Sequence, residues 1–257
     1  MLFSALKSRR YRRYWFGSMG TVGASQLMLM AQGGLIFELS GSPMDLGVLG
    51  AAVSGPAIVV LLFGGVLADR FDRRVLLMTT SLITAVLLLV QAFLDYSGVV
   101  EVWHVLVLGC VIGIVTGFEW PVRQALFAKL ITPDQMMSAV SLNSILWQGS
   151  RMILPALAGV LIAAAGTSVV FALGALGFVG MFFTLVGMQI ERQAAATGGT
   201  GQQFAEGIRF IFTNRTFLVL IPLTWVWMFF GFSFNQLMPV FANSLGTQEI
   251  GFGALMS

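Results

Sequence analysis

The chain has 257 residues, 57% hydrophobic and only 10% charged, with a formal net charge of +3 and a mean hydropathy of +0.89. A soluble domain carries roughly 25% charged residues, so these charges are too few to cover a water-facing globule of this size, and lipid is the natural solvent. One histidine, His104, and one cysteine, Cys110, leave no multi-histidine metal site, no intrachain disulfide and no nucleophile constellation, so neither an enzyme nor a metal or other cofactor is expected.

A bilayer core of about 30 Å takes about 20 mostly apolar residues to cross as a helix. Seven runs meet this requirement: residues 15–37, 46–68, 75–94, 102–122, 139–163, 168–190 and 217–240. The first follows a basic head, "MLFSALKSRRYRRYWFGS". It is longer than a signal-peptide core and six more runs follow, which predicts a retained first span. This span carries Ser18, Ser25, Gln26 and Gln32. The two glutamines are expected to face the bundle interior, as hydrogen-bonding glue or as cavity lining.

Between the second and third spans, "GGVLADRFDRR" places Asp69, Arg70, Asp72, Arg73 and Arg74 within six positions. In the fourth span Gly109, Gly113 and Gly117 recur every fourth residue, and in the sixth Gly174, Gly177 and Gly180 recur every third. Such small-residue faces let helices approach closely where lipid supplies no hydrophobic drive between them, and smooth faces also let helices slide. Further along the fourth span Glu119 and Arg123 share a face, with Glu on the amino-terminal side and Pro121 between them predicting a kink.

Arg151 lies well inside the fifth span, where it can approach Glu119 across antiparallel neighbours. Intramembrane charges are functional candidates. Two readings stay open: a buried ion network fixing the fourth and fifth spans, or a functional role, with Glu119 as proton carrier or Arg151 as anchor for an anionic substrate group. Glu38 and Asp95, near the outer ends, read as surface charges, and Asn235 and Gln236 in the seventh span as further polar positions.

Lys and Arg fix the orientation, because cytoplasmic loops are enriched in them. Lys7, Arg9, Arg10, Arg12 and Arg13 precede the first span; Arg70, Arg73 and Arg74 join the second to the third; Arg123 and Lys129 lie toward the fourth-to-fifth connection; Arg192, Arg209 and Arg215 join the sixth to the seventh. The connections 38–45, 95–101 and 164–168 have none. A multi-pass protein of the plasma membrane with a cytosolic amino terminus is predicted, and the net charge reports topology rather than nucleic-acid binding. Short connections over 1–190 predict a six-helix bundle. Residues 191–215 then read as a cytosolic linker, Gly/Thr/Gln-rich at first, with a short amphipathic helix on Phe204, Ile208, Ile211 and Phe212. Residues 216–257 read as the start of a second bundle, the seventh helix and a stub of an eighth, as in a truncated product or a fragment.

The charged loop resembles the signature between the second and third helices of the major facilitator superfamily: Gly, three residues, Asp, a basic residue, one residue, Gly, then two basic residues. Gly65, Asp69, Arg70, Arg73 and Arg74 match, and Asp72 stands where the second Gly is usual. "FELSGSPMDLGVLGAAVSGPAIVVLLFGGVLADR" and "GFEWPVRQALFAKLITPDQMMSAVSLNSILWQGSRMILPALAGVLIAAAG" are similar to an exporter branch that includes enterobactin and macrolide efflux proteins. The resemblance covers the first half of a twelve-helix fold plus helix 7. It implies an all-α integral membrane protein, a major-facilitator-type six-helix bundle plus a linker and a seventh transmembrane helix. It also implies a gating loop in which Asp69 meets a helix amino terminus of the second half, favoured by about 0.3–1 kcal/mol at the positive end of a helix dipole. "GSRMILPALAG" only loosely resembles the antiporter motif of the fifth helix.

The function so implied is secondary active transport: efflux of small amphipathic molecules such as drugs or siderophores, by proton-coupled alternating access about a midplane site. No P-loop glycine pattern offers ATP drive. Expected partners are membrane lipids, a small-molecule substrate, protons and a missing carboxy-terminal half. The alternative is a truncated half-transporter inactive by itself, or a membrane module pairing with another chain.

Overall fold

The computed structural model describes residues 3–70, 72–188 and 213–232, with the backbone alone over 62–70 and at 215, 227–228 and 231–232. The elements are α1 (Arg9–Ser40), α2 (Pro43–Arg70), α3 (Arg73–Tyr96), α4 (Val102–Lys129), α5 (Met136–Ala165), α6 (Thr167–Val186) and α7 (Arg215–Phe232), with 3-10 turns at Ser4–Lys7 and Pro133–Gln135. The architecture is all-α, as expected. Among the described residues six helices are long and apolar enough to cross a membrane, α2 over Pro43–Leu61, and α7 carries the shorter apolar run Thr216–Val226. The amphipathic helix expected over 204–212, the rest of the seventh span with Asn235 and Gln236, and the eighth-helix stub lie outside the described residues.

Helix ends differ from the hydropathic runs because capping, and not apolarity, sets them. Helix α1 begins at Arg9, within the basic head, because the Ser8 hydroxyl accepts from the Tyr11 N–H at 3.4 Å. It ends where Gly41, at φ 63°, donates its N–H to the Phe37 carbonyl at 2.8 Å, a left-handed cap that glycine adopts without Cβ strain. Helix α3 begins at Arg73 because the Asp72 carboxylate accepts from the N–H groups of Arg74 and Val75, at 2.9 and 3.5 Å. Asp72 has φ −62°, so this turn has no use for the glycine usual there.

Packing follows a repeat. Helix α1 packs on α6 and α5, α4 packs on α3 and α2, and α3 packs on α6. Exchanging α1 with α4, α2 with α5 and α3 with α6 maps this set onto itself, so the bundle is two three-helix units, a nesting found within halves of secondary transporters. Glycines make the closest crossings. A Cβ at Gly117 would stand 2.7 Å from the Ala57 carbonyl oxygen, and one at Gly113 would stand 2.9 Å from the Val53 carbonyl carbon with its oxygen nearer still. The expected glycine face of α4 is therefore the α2 seam. On α6, Gly177 meets the Gly20 backbone of α1 and Gly174 faces Leu88 and Ala24, but Gly180 meets nothing. The three-residue repeat explains this, because a step of three drifts off one helix face.

Two apolar clusters fill the interior, one around Ile36, Leu88, Ile112 and Phe171, the other around Tyr11, Leu77, Leu126 and Leu185. Leu82, Val86, Leu89 and Phe93 of α3 are exposed, an outward apolar stripe suited to lipid.

Candidate functional site

Between these clusters lies a buried charge pair. Glu119 and Arg123 stand one turn apart on α4, and the Arg123 Nη2 donates to Glu119 Oε1. Glu119 is 7% exposed. The guanidinium then reaches across to α1: Nη2 donates to Thr21 Oγ1 at 3.0 Å and Nη1 to Ser18 Oγ at 3.4 Å. The Thr21 hydroxyl donates to the Ser18 carbonyl at 3.1 Å, and the Tyr14 hydroxyl makes a long 3.5 Å contact to the Arg123 carbonyl. A guanidinium with its fixed fork suits this task, since one planar group satisfies a carboxylate and two hydroxyls at once. Helix α4 runs unbroken through Pro121.

The expected approach of Arg151 to Glu119 is not what the structure has. Glu119 pairs with Arg123, no ion pair joins it to Arg151 among the described residues, and Arg151 is exposed on α5. Four residues along a helix put Glu119 and Arg123 in reach regardless of how α4 and α5 cross, whereas Arg151 depends on that crossing. Ser144 and Gln148 are also exposed, at helical spacing from Arg151, so α5 presents a polar stripe outward from this bundle.

Gln32 is buried and donates from Nε2 to the buried Gln91 Oε1 at 3.1 Å, tying α1 to α3; Gln26 is half-buried and takes no part. Gln91 Nε2, Ser81 Oγ and Thr84 Oγ1 are buried with no partner among the described residues. Asp95 is not the surface charge expected: it accepts from the Thr167 hydroxyl, joining the end of α3 to the start of α6. Glu38 is exposed, as expected. His104 is a capping residue, its Nδ1 accepting from the Glu101 N–H at 3.1 Å.

The charged loop divides. Gly65 and Arg70 fall within the backbone of α2, and the side chains of Asp69 and Arg70 lie outside the described residues. Arg74 turns back into its own bundle. Its Nε donates to the Leu185 carbonyl at 2.7 Å and its Nη2 to the Val186 carbonyl at 2.8 Å, while Arg13 Nη1 donates to the Gly187 carbonyl at 3.3 Å. Two arginines thus satisfy the orphan carbonyls at the negative end of α6. Sequence inspection missed Tyr14 and Thr21, although Tyr14, Ser18, Thr21 and Ser25 form a polar stripe at helical spacing. It also missed Gln91 as the partner of Gln32, and Arg74 as a cap for α6.

A profile described as transmembrane secretion effector matches residues 2–257. The chain belongs to the major facilitator superfamily. Facilitator proteins are transporters rather than enzymes, and this chain is a multi-pass membrane protein of that family. It is 25% identical to macrolide efflux protein A of Streptococcus pyogenes over 241 residues, 90% of this chain and 58% of that protein. It is 31% identical to the MFS-type transporter YfiS of Bacillus subtilis over 142 residues, 55% of this chain and 33% of that one. It is 29% identical to the staphyloferrin A transporter of Staphylococcus aureus over 113 residues, 42% of this chain and 28% of that one. This facilitator chain therefore spans 58% of one of these relatives and about a third or less of the other two.

Proposed function

We propose that the chain forms the amino-terminal part of a secondary active exporter of small amphipathic molecules, driven by exchange with protons. Its six-helix bundle over 1–190 would be joined by a cytosolic linker over 191–215 to the start of a second bundle at 216–257, and the basic end of the bundle would face the cytosol in the plasma membrane. The observation that carries the coupling is the buried Glu119–Arg123 pair held against Ser18 and Thr21 of α1. To take a proton, Glu119 must loosen its hold on Arg123, and that guanidinium is what bonds α4 to α1. Proton occupancy and helix contact are thereby linked. The exposed stripe of Ser144, Gln148 and Arg151 faces out of this bundle; we assign it to the substrate cavity shared with the second half. Asp69 remains the latch toward that half, while Arg74 braces its own.

Proteoliposomes carrying the chain together with a second six-helix half, and a labelled macrolide, with and without a pH gradient, test this. Gradient-driven uptake that Glu119→Gln abolishes at equal amounts of folded, reconstituted protein is the expected result. Uptake that ignores both the gradient and the substitution overturns the coupling.

A further inference from the structure

Four arginines, Arg9, Arg10, Arg12 and Arg13, fill the first turn and a half of α1, with no acidic residue in that turn. They sit at the positive end of the helix dipole, where anions are favoured and cations are not. All four are exposed. Arg13 is turned to the Gly187 carbonyl, and Arg9, Arg10 and Arg12 make no side-chain hydrogen bond or ion pair among the described residues.

Below the arginines the surface is hollow. One cavity of about 400 Å³ is lined by Arg9, Arg10, Arg13, Gly187 and Met188. A second, of about 470 Å³, shares Arg13 and Gly187 and continues between α1 and α6 along Arg12, Phe16, Gly180, Phe183 and Thr184. Phe16 and Phe183 are 58% and 66% exposed and form its apolar walls. Gly180 is the gap between them, since a Cβ there would meet nothing within 4 Å. Gly180 and Gly187 are seven residues apart on the α6 axis, so the groove descends about 10 Å from the guanidinium level toward the hydrocarbon. The groove is cationic at the interface and aromatic beneath it.

We infer that this α1–α6 groove binds an anionic phospholipid of the adjoining leaflet, its phosphate beside Arg12 and Arg13 and one acyl chain over Gly180 between Phe16 and Phe183. Charge complementarity selects the occupant: basic pockets between transmembrane helices bind anionic headgroups, and a zwitterionic lipid does not compensate four guanidinium groups. The bound phosphate supplies the negative charge that the start of α1 lacks. Because Arg13 of the same groove holds the end of α6, the lipid also steadies the α1–α6 seam.

The full chain, purified in detergent, is titrated with phosphatidylglycerol, phosphatidylcholine or inorganic phosphate, with bound lipid counted by native mass spectrometry and unfolding followed thermally. Phosphatidylglycerol is expected to bind and raise the unfolding temperature, and the other two to do neither. Arg12→Gln should weaken phosphatidylglycerol binding about fivefold. Gly180→Leu, which fills open space, should weaken it while leaving the unfolding temperature in lipid-free detergent unchanged or slightly raised. Equal phosphatidylglycerol retention by wild type and both variants overturns the site. Protection by inorganic phosphate equal to that by the lipid overturns the acyl-chain assignment. Destabilisation of lipid-free protein by Gly180→Leu means that the chain itself fills the groove, and also overturns the proposal.

Discussion

Adding one methyl group to the α2–α4 seam should loosen the bundle. In Gly117→Ala the new carbon would stand 2.7 Å from the Ala57 carbonyl oxygen and 2.9 Å from Val60 Cβ. Both neighbours are fixed to the α2 backbone, so neither can swing aside as a side-chain tip would. Ordinary contact at 3.4 Å requires the helices to part by about 0.7 Å. Overpacking of this kind costs about 1–3 kcal/mol, and the better helix propensity of alanine returns about 1 kcal/mol. A net loss of about 1 kcal/mol lowers the unfolding midpoint by about 2–4 °C for a chain of this size. Gly113→Ala, against the Val53 carbonyl at closer range, should cost more than Gly117→Ala. Gly33→Ala, which meets nothing within 4 Å, should be neutral or stabilising. Thermal unfolding of the three variants in one detergent reads the order directly. If Gly113→Ala and Gly117→Ala were as stable as Gly33→Ala, α2 and α4 would not cross on these glycines.

Arg74→Ala removes two charge-assisted hydrogen bonds to the end of α6 and should destabilise by about 2–3 kcal/mol; Arg74→Lys, lacking the fork, should recover only part of that, as measured by thermal unfolding. Glu119→Gln leaves the Arg123 guanidinium buried beside a neutral amide and should cost about 3–5 kcal/mol, whereas Glu119→Gln with Arg123→Met should be more stable than Glu119→Gln alone. Replacing Gln32 by Met should cost about 1–3 kcal/mol by leaving Gln91 without its partner, and Gln32→Met with Gln91→Met should recover most of it, a double-mutant cycle on unfolding free energies being the measurement. Asp72→Ala should lower stability by about 1 kcal/mol through the lost cap of α3, and Asp72→Asn by less.

Composition and run length made the helices legible, because twenty apolar residues in a row have few other uses. The glycine step of four on α4 named its close-packed face, but only the fold told which helix lies against it. The pairing of Glu119 with Arg123 was readable from spacing alone, since both sit on one element. Arg151 was misjudged, and Thr21, Gln91 and the α6 carbonyls were missed, for one shared reason: each contact is set by how two separate helices cross, and local sequence carries no record of that. Asp72 teaches the converse. It departs from a pattern, yet a carboxylate before a helix has a local use as a cap, and residues 72–75 alone suffice to state it.

Helix α1 is fastened on three sides by three kinds of bond. Gly20 meets the Gly177 backbone of α6, the Tyr11 hydroxyl and the Trp15 indole donate to the Ala139 and Leu142 carbonyls of α5, and Arg123 spans the gap from α4. Sliding α1 along any neighbour would break contacts to the other two. Such a helix behaves as the mast of a rigid frame, and under the proposed alternating-access cycle the described bundle would move as one body. In that cycle a covalent tether between α1 and α5 should be tolerated, uptake before and after cross-linking being the measurement.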